Sequence, residues 1–278
     1  MTALFDNLAL SRNRKRANAD GMFLQQRAAD QIMDRLAEVN RAFTSIAVIT
    51  AFPDNWAPRL PDAQMVSEGE VLEFDSGPHD LIIHALSMHW SNDPVGQMIQ
   101  CRRAMQPDGL FLAVMFGGRT LQELRTSLAE AESHLTGGLS PRVAPMAELR
   151  DLGGLLQRAG FALPVADGDL VPVSYASLPD LIRDLRAMGE TSALAARPKT
   201  FSKRALFDRA VQVYAQHFSQ QDRLFASFEM IFLTGWAPSA DQPKPLRPGS
   251  AQNRLADALG VAEIAADDPI ADLERNKD

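Results

Sequence analysis

Three short apolar segments alternate with helical patterns in the first half of the sequence, and this alternation constrains the fold more than any other feature. The segments are residues 45–50, 80–85 and 110–116, and apolar residues dominate each of them. Short, nearly continuous apolar runs of this kind are typical of strands that are buried on both faces of a parallel sheet. The sequence therefore predicts an α/β fold with a doubly wound, mainly parallel sheet.

Helices are predicted beside these strands from periodicity and from capping residues. Residues 22–39 place apolar side chains on one helical face. Asp93 followed by Pro94 is typical of the start of a second helix. Thr120 and Glu123 have the spacing of a capping box, which predicts that a third helix begins there with Glu123 as the capping partner of Thr120.

The second half of the sequence continues the mixed pattern. Residues 106–109 read Gln-Pro-Asp-Gly and predict a turn. Further helices and strands are expected after this turn from the same periodicities. The predicted helices are residues 146–159, 178–188 and 201–218, and the predicted strands are residues 161–165, 170–174 and 225–236.

Composition changes divide the chain into three predicted parts. Residues 1–40 are expected to form an N-terminal helical segment whose first part, basic in its middle, is a solvated arm or a short helix. Residues 41–237 are expected to form the α/β domain. Residues 238–278 are expected to be a linker and an acidic tail, because prolines are frequent at the start of this range and acidic residues at its end.

Charge and cysteine content exclude several classes of protein. The formal net charge of −7 argues against nucleic acid as the principal partner. The single cysteine, Cys101, excludes an internal disulfide framework and a cysteine-rich zinc site. The longest apolar stretch, residues 110–116, is far shorter than the roughly 20 residues that span a bilayer. We therefore expect a cytoplasmic protein with a protein partner and no transmembrane segment, and peripheral membrane contact stays open.

Two groups of segments resemble known families. Residues 79–93, HDLIIHALSMHWSND, and residues 105–111, MQPDGLF, resemble the fourth and fifth strands of class I S-adenosylmethionine-dependent methyltransferases, of the type shared with malonyl carrier protein methyltransferases. The second group looks like the mitochondrial complex I (NADH dehydrogenase) assembly factor 5 family. Its segments are residues 115–125, 151–153, 158–161 and 184–190.

The resemblance implies a Rossmann-like fold and a set of candidate cofactor contacts. Glu68 opens the segment EGEVLEF, which is similar to the family segment that touches the adenine of S-adenosylmethionine. Ser87, His89 and Trp90 follow the predicted strand at residues 80–85, and open α/β sheets bind ligands beyond the carboxyl ends of their strands. These four residues are the predicted cofactor-binding residues, and no catalytic residue is identified.

The loop after the first strand departs from the family pattern. Class I methyltransferases bind their cofactor there through a glycine-rich loop, whereas this chain has no glycine between Asn40 and Glu68. Phe52 and Trp56 are bulky, and Pro53 has no backbone N–H to donate. We therefore predict that the rings of Phe52 and Trp56 fill the cofactor cleft and close it.

The interval between the first two apolar strands also departs from the pattern. The distance along the chain from Ile46 to Asp80 is shorter than the family pattern allows. We therefore expect an abbreviated second βα unit, which lacks its helix and the acidic residue that the family places after the second strand.

Three histidines are evenly spaced near the predicted site. His79, His84 and His89 lie five residues apart. On a strand that runs into a loop, this spacing puts successive side chains on opposite faces, so the histidines do not converge. No metal site is predicted.

These observations lead to one functional hypothesis and two alternatives. We expect a pseudoenzyme with a methyltransferase fold that has lost conventional S-adenosylmethionine binding and acts as a binding or assembly factor, with respiratory complex I as the expected partner. The first alternative is an active methyltransferase that holds S-adenosylmethionine through Glu68, Ser87 and His89 with an unusual loop. The second is a protein arginine hydroxylase that acts on a complex I subunit. No cofactor is expected unless the ancestral S-adenosylmethionine site survives.

Overall fold

One mixed sheet organises the computed structural model, which describes residues 3–75 and 77–242. Its strands are β1 (Ile46–Thr50), β2 (Gln64–Ser67), β3 (His79–Ala85), β4 (Met105–Phe116), β5 (Ala162–Tyr175), β6 (Ser219–Gln220) and β7 (Arg223–Trp236). The strand order is β2-β1-β3-β4-β7-β5, and β6 pairs with β7. Strands β2, β1, β3 and β4 are parallel, whereas β7 is antiparallel to both β4 and β5. The predicted doubly wound, mainly parallel α/β sheet is confirmed.

Helices flank the sheet at the predicted places, with small shifts at their ends, except that the first one, Asn7–Arg14, lies in the segment expected to be a solvated arm or a short helix and is partly buried. The helices are α1 (Asn7–Arg14), α2 (Phe23–Glu38), α3 (Pro94–Arg103), α4 (Gln122–Thr136), α5 (Leu149–Arg158), α6 (Leu178–Ala187) and α7 (Arg204–Phe218). Single 3₁₀ turns lie at Ala19–Gly21, Pro53–Asn55 and Met88–Trp90. None of the helices in the described part of the chain combines the length and apolar content that a membrane span requires.

The chain divides into two units, Met1–Ser239 and Ala240–Asp278, and all of these elements belong to the first unit. Most of the predicted linker and acidic tail, from residue 243 onward, lies outside the described residues. The division into three parts therefore stays a prediction.

The packing of strand β4 explains why the apolar runs in the sequence are nearly continuous. Its side chains alternate between two buried clusters, one on each face of the sheet. Leu112 and Val114 contact the cluster that α2, α4, α6 and α7 complete, while Ala113 and Met115 contact the cluster that α3 and α5 complete. A strand covered on both faces has no solvent-facing positions, so it needs no polar residues.

The second βα unit is abbreviated, as predicted. Among the described residues between β1 and β3, the helical segment is the single 3₁₀ turn Pro53–Asn55. The short strand β2, which is not among the predicted strands, pairs in parallel with β1 at the edge of the sheet. The carboxyl ends of β1 and β2 are therefore left without a crossover helix beside them.

The predicted turn at residues 106–109 is an irregularity inside β4 rather than a turn before it. His79 of β3 lies opposite Met105, but Leu81 lies opposite Leu110, so the extra residues of β4 bulge out of the ladder. Asp108 takes the left-handed conformation, with φ of +60°, which Asp tolerates better than most residues. The residues typical of a turn are therefore present, but they lie within β4 and form a bulge there.

Strand β5 replaces the two separate strands that were predicted at residues 161–165 and 170–174. It runs without interruption from Ala162 to Tyr175, and β7 pairs along nearly all of it. A shift of register near Leu163, which has φ of +49°, accommodates the start of the strand. The gap between the two predicted strands is bridged because the backbone pairs with β7 whatever side chains it carries.

The predicted capping box at Thr120 and Glu123 is wrong. The N-cap of α4 is Leu121, and no side chain caps this helix end. Thr120 exchanges hydrogen bonds with the backbone of Glu229, and the carboxylate of Glu123 accepts hydrogen bonds from the backbone N and the hydroxyl of Ser227. Both side chains therefore tie the start of α4 to β7 instead of closing the helix end.

We expect a double-mutant cycle to distinguish these two arrangements. Glu123 is buried, so Glu123→Ala should lower the free energy of unfolding by about 2 kcal/mol, because it removes hydrogen bonds to a charged group. Urea unfolding should give a coupling energy of about 1 kcal/mol or more between Glu123→Ala and Ser227→Ala, and a value near zero between Glu123→Ala and Thr120→Ala. A capping box would give the opposite pattern.

Candidate functional site

A cleft opens at the carboxyl ends of β1, β2 and β3, which is where open α/β sheets bind ligands. Its volume is about 440 Å³. Loops after each of the three strands line it, and α1 lies across it. The lining residues include Ala51 and Pro53 after β1, Glu68 and Glu70 after β2, Ser87 and Trp90 after β3, and Asn7, Leu10 and Arg14 of α1.

The prediction that Phe52 and Trp56 close this cleft is wrong. Trp56 is fully buried in the hydrophobic core, where it packs with the apolar face of α2. The 3₁₀ turn Pro53–Asn55 carries the chain away from the cleft before Trp56 is reached. Phe52 stays beside the cleft, but its ring lies under the guanidinium of Arg14, with 5.2 Å between Cζ and the ring centroid.

The backbone after β1 nevertheless presents few donors to the cleft. The N–H of Phe52 donates to the hydroxyl of Thr50 at 3.0 Å, and Pro53 has no N–H. The N–H groups of Asn55 and Trp56 donate to carbonyls inside the 3₁₀ turn. These three N–H groups are satisfied locally, so they are not free to bind a ligand as the N–H groups of a glycine-rich loop are.

A buried arginine joins the two sides of the cleft. Arg14, the last residue of α1, has a side chain that is 7% exposed. Its Nε lies 3.1 Å from Oε1 of Glu68, and its Nη1 lies 2.5 Å from Oε1 of Glu190. Its Nη2 donates to the carbonyl of Leu86, a residue held in the left-handed conformation with φ of +43°. A non-glycine residue in this conformation is strained, and such residues cluster at functional sites.

Glu190 is the centre of this polar network. Its Oε2 accepts hydrogen bonds from Nε1 of Trp90 at 2.7 Å and from Nε2 of His89 at 3.2 Å. Burial alone would raise the pKa of Glu190, but the positive charge of Arg14 and the contacts with His89 outweigh it and lower this pKa to about 2. Glu190 is therefore ionised at neutral pH, and a carboxylate ion lies in the protein interior.

Two atoms of the network have no hydrogen-bond partner among the described residues. Oε2 of Glu68 and Nδ1 of His89 are both buried. Because Nε2 of His89 faces a carboxylate, a neutral His89 carries its proton on Nε2, which leaves Nδ1 as an acceptor. Buried polar atoms are normally paired, so Oε2 of Glu68, which lines the cleft, marks a place where a ligand or a water can bind.

The network joins three of the four predicted cofactor residues and leaves out the fourth. Glu68, His89 and Trp90 are linked through Arg14 and Glu190. Ser87 lines the same cleft, but its hydroxyl lies 3.3 Å from Nδ1 of His84. The assignment of these residues to a cofactor stays a prediction.

The three evenly spaced histidines have separate surroundings. His79 lies beside the hydroxyl of Ser45, His84 binds Gln97, and His89 binds Glu190. Burial lowers the pKa of His84 to about 4, so this side chain is neutral at physiological pH. Within residues 3–75 and 77–242, no three His, Cys, Asp or Glu side chains are grouped so that they could hold a metal ion.

Sequence comparison assigns the family. The chain is 34% identical over 230 residues to "Arginine-hydroxylase NDUFAF5, mitochondrial" from Danio rerio, a match that covers 82% of this chain and 71% of the relative. The chain belongs to the NDUFAF5 family. It is also 32% identical over 181 residues to a malonyl-[acyl-carrier protein] O-methyltransferase from Xylella fastidiosa, a match that covers 65% of this chain and 59% of that enzyme.

Comparison with family models and with solved structures does not add to the family assignment. No model of a known protein family matches the chain. The YcgJ protein from Bacillus subtilis overlays with a TM-score of 0.45 and 15% identity, covering 75% of this chain and 97% of that protein. A likeness at this level adds no weight to the class I methyltransferase fold, which rests on the strand order and on the relatives in sequence.

The comparison with NDUFAF5 proteins corrects one prediction. The cytoplasmic location expected from the sequence is wrong, because the NDUFAF5 relatives from several eukaryotes are named as mitochondrial proteins. The matched segment covers between 43% and 71% of the length of these relatives. The activity of the whole relatives therefore comes to this chain only as a proposal.

Replacing Arg14 should show how much a buried Glu190 carboxylate without its partner lowers the free energy of unfolding. Arg14→Met leaves this charge unpaired, so we expect the free energy of unfolding at about pH 7 to fall by about 3–5 kcal/mol. Adding Glu190→Gln to Arg14→Met should recover part of the loss, because only the less buried carboxylate of Glu68 then lacks its partner. The exposed neighbour Lys15 provides the control, and Lys15→Met should change the unfolding free energy by less than about 0.5 kcal/mol.

The effect of Arg14→Met should depend on pH. The pKa of Glu190 is depressed in the folded protein, so its contribution to stability is present above the ordinary glutamate pKa and is lost as the pH falls toward about 2. The difference in unfolding free energy between the wild type and Arg14→Met should therefore narrow as the pH falls below about 4.5. A difference that stays constant with pH would contradict the assignment of the ion pair.

Proposed function

We propose that this member of the NDUFAF5 family is a methyltransferase-fold protein that does not bind S-adenosylmethionine in the conventional way and acts as a binding or assembly factor. The single observation that carries the proposal is the guanidinium of Arg14 between Glu68 and Glu190. Arg14 of this chain already binds Oε1 of Glu68, the residue expected to contact the cofactor, and both residues line the cleft. A conventional cofactor contact at Glu68 would have to share this carboxylate with Arg14.

The residues of the cleft fit only part of S-adenosylmethionine. Oε2 of Glu68, a buried acceptor without a partner, would suit a hydroxyl group of the nucleoside. The loop after β1 suits the methionine part poorly, because three of its N–H groups, those of Phe52, Asn55 and Trp56, are used inside the loop and Pro53 has none.

The alternative is an active S-adenosylmethionine-dependent methyltransferase with an atypical loop. The open volume of about 440 Å³ beside Glu68, Ser87 and Trp90 favours it, since the predicted steric closure is absent. The relative from Xylella fastidiosa is named as a methyltransferase, which supports the same alternative. Ligand binding decides between the two.

Titration with S-adenosylmethionine should leave the unfolding of this protein unchanged at millimolar concentration. A ligand present at 100 times its dissociation constant would raise the free energy of unfolding by about 2.7 kcal/mol, which a thermal-shift measurement and calorimetry both detect. If the wild type gives a saturable shift, and Glu68→Gln abolishes it while the exposed control Glu73→Gln does not, the protein binds the cofactor through Glu68 and our proposal is wrong.

The partner proposed for the binding role is a subunit of respiratory complex I. The family assignment supports it, because the sequence segments at residues 115–125 and 184–190 carry the resemblance to complex I assembly factors. Glu190, which lies in the second segment, is also the centre of the buried network. We expect the tagged chain to co-purify with a complex I subunit, and cells that lack the chain to contain less assembled complex.

Arginine hydroxylation is the further alternative, and the name of the NDUFAF5 relatives supports it. It makes a different prediction for the complex I subunits. Mass spectrometry of these subunits from cells with and without the chain would show an arginine that gains one oxygen only when the chain is present. An unchanged arginine mass together with reduced assembly would favour the binding role.

A further inference from the structure

A second cavity lies beside the first and has a different character. Its volume is about 280 Å³, and α4, α6, α7, the end of β4 and strand β7 enclose it. Most of its lining is apolar, including Phe116, Leu124, Leu128, Ile182, Leu185 and Phe228. An apolar interior of this size suits the hydrocarbon part of a small ligand.

The wall between the two cavities contains the buried carboxylate of Glu190. Trp90 lines both cavities, and Glu190 lines the second. Both carboxylate oxygens of Glu190 are used, Oε1 by Arg14 and Oε2 by His89 and Trp90. Both oxygens of Glu190 therefore have partners on the side of the first cavity, although Arg14 is shared with Glu68.

Apart from Glu190, the charged groups that line the second cavity are the guanidinium groups of Arg142 and Arg186. Arg186 of α6 lines the cavity, is exposed, and makes no ion pair with any residue that the structure describes. Arg142 is paired with Glu132 through Nη2, but its buried Nε has no partner. The hydroxyl of Ser192 is also buried without a partner. An anionic head group would satisfy donors that are otherwise left unpaired.

We propose that this cavity binds a medium-length alkyl carboxylate, with the alkyl chain among the apolar side chains and the carboxylate at Arg186. The apolar lining would hold the hydrocarbon chain. The unpaired, exposed guanidinium of Arg186 would bind a head group of negative charge. This site is separate from the Glu68 cleft, so the proposal holds whether or not S-adenosylmethionine binds there.

Calorimetric titration of the full chain with hexanoate, octanoate and decanoate, each below its micelle concentration, tests the hydrocarbon part. We expect the affinity to rise by about fourfold for each added methylene until the cavity is filled. Ile182→Trp places a larger side chain in the cavity and should abolish decanoate binding, with circular dichroism to verify that the variant is folded. Undiminished decanoate binding by a folded Ile182→Trp variant would overturn the proposal, as would an affinity that does not change with chain length.

The head group is tested with ligands that share one chain. Decanoate should bind at least about tenfold more tightly than decylammonium, because Arg186 attracts the first and repels the second. Arg186→Gln should weaken decanoate binding by about threefold to fivefold, a range appropriate to an exposed charge. Arg183→Gln is the matched control, since Arg183 lies on the same helix, is 74% exposed and does not line the cavity. Equal affinities for decanoate and decylammonium, or equal losses in the two variants, would contradict the role of Arg186.

Discussion

A charge is very costly to bury alone, and this constraint shapes the molecule most strongly at Arg14 and Glu190. Arg14 ends α1, Glu190 follows α6, and both side chains are less than a tenth exposed. Because either group without the other would carry the full cost of desolvation, the packing of α6 and the packing of α1 depend on each other. Glu190 also holds the ring nitrogens of His89 and Trp90, so the wall between the two cavities depends on the same pair.

The abbreviated second βα unit explains why α1 can occupy this place. Without a crossover helix between β1 and β3, the carboxyl ends of β1 and β2 have no regular cover among the described residues. Helix α1 lies there instead, because Asn7 binds the carboxylate of Glu70 and Arg14 binds that of Glu68. A cleft that serves a cofactor in related folds is therefore crossed by the chain's own cation, and the open volume that remains lies beside that cation.

Local sequence patterns predicted most of the helices and strands correctly. They gave wrong predictions for side chains whose position depends on residues far away in the sequence. The strands at β1, β3 and β4 and the helix α2 follow from periodicity, which depends on residues close in sequence. Trp56 was placed in the cleft because it follows β1, yet the apolar face of α2 offers it a dry site and the 3₁₀ turn directs it there. Glu123 fits a capping box by spacing, but Ser227, 104 residues away, binds its carboxylate.

The same reasoning explains which part of the site was predictable. Glu68, His89 and Trp90 follow from the rule that ligands meet the carboxyl ends of parallel strands. Arg14 was missed because it lies in a basic run that is typical of a solvated arm, and Glu190 because its partner is 176 residues away. One signal was present: Leu10 and Arg14 are four residues apart and therefore share a face of α1, and both are buried. In a short helix that carries several arginines, the arginine that shares a face with a buried leucine is the one whose charge needs a buried carboxylate.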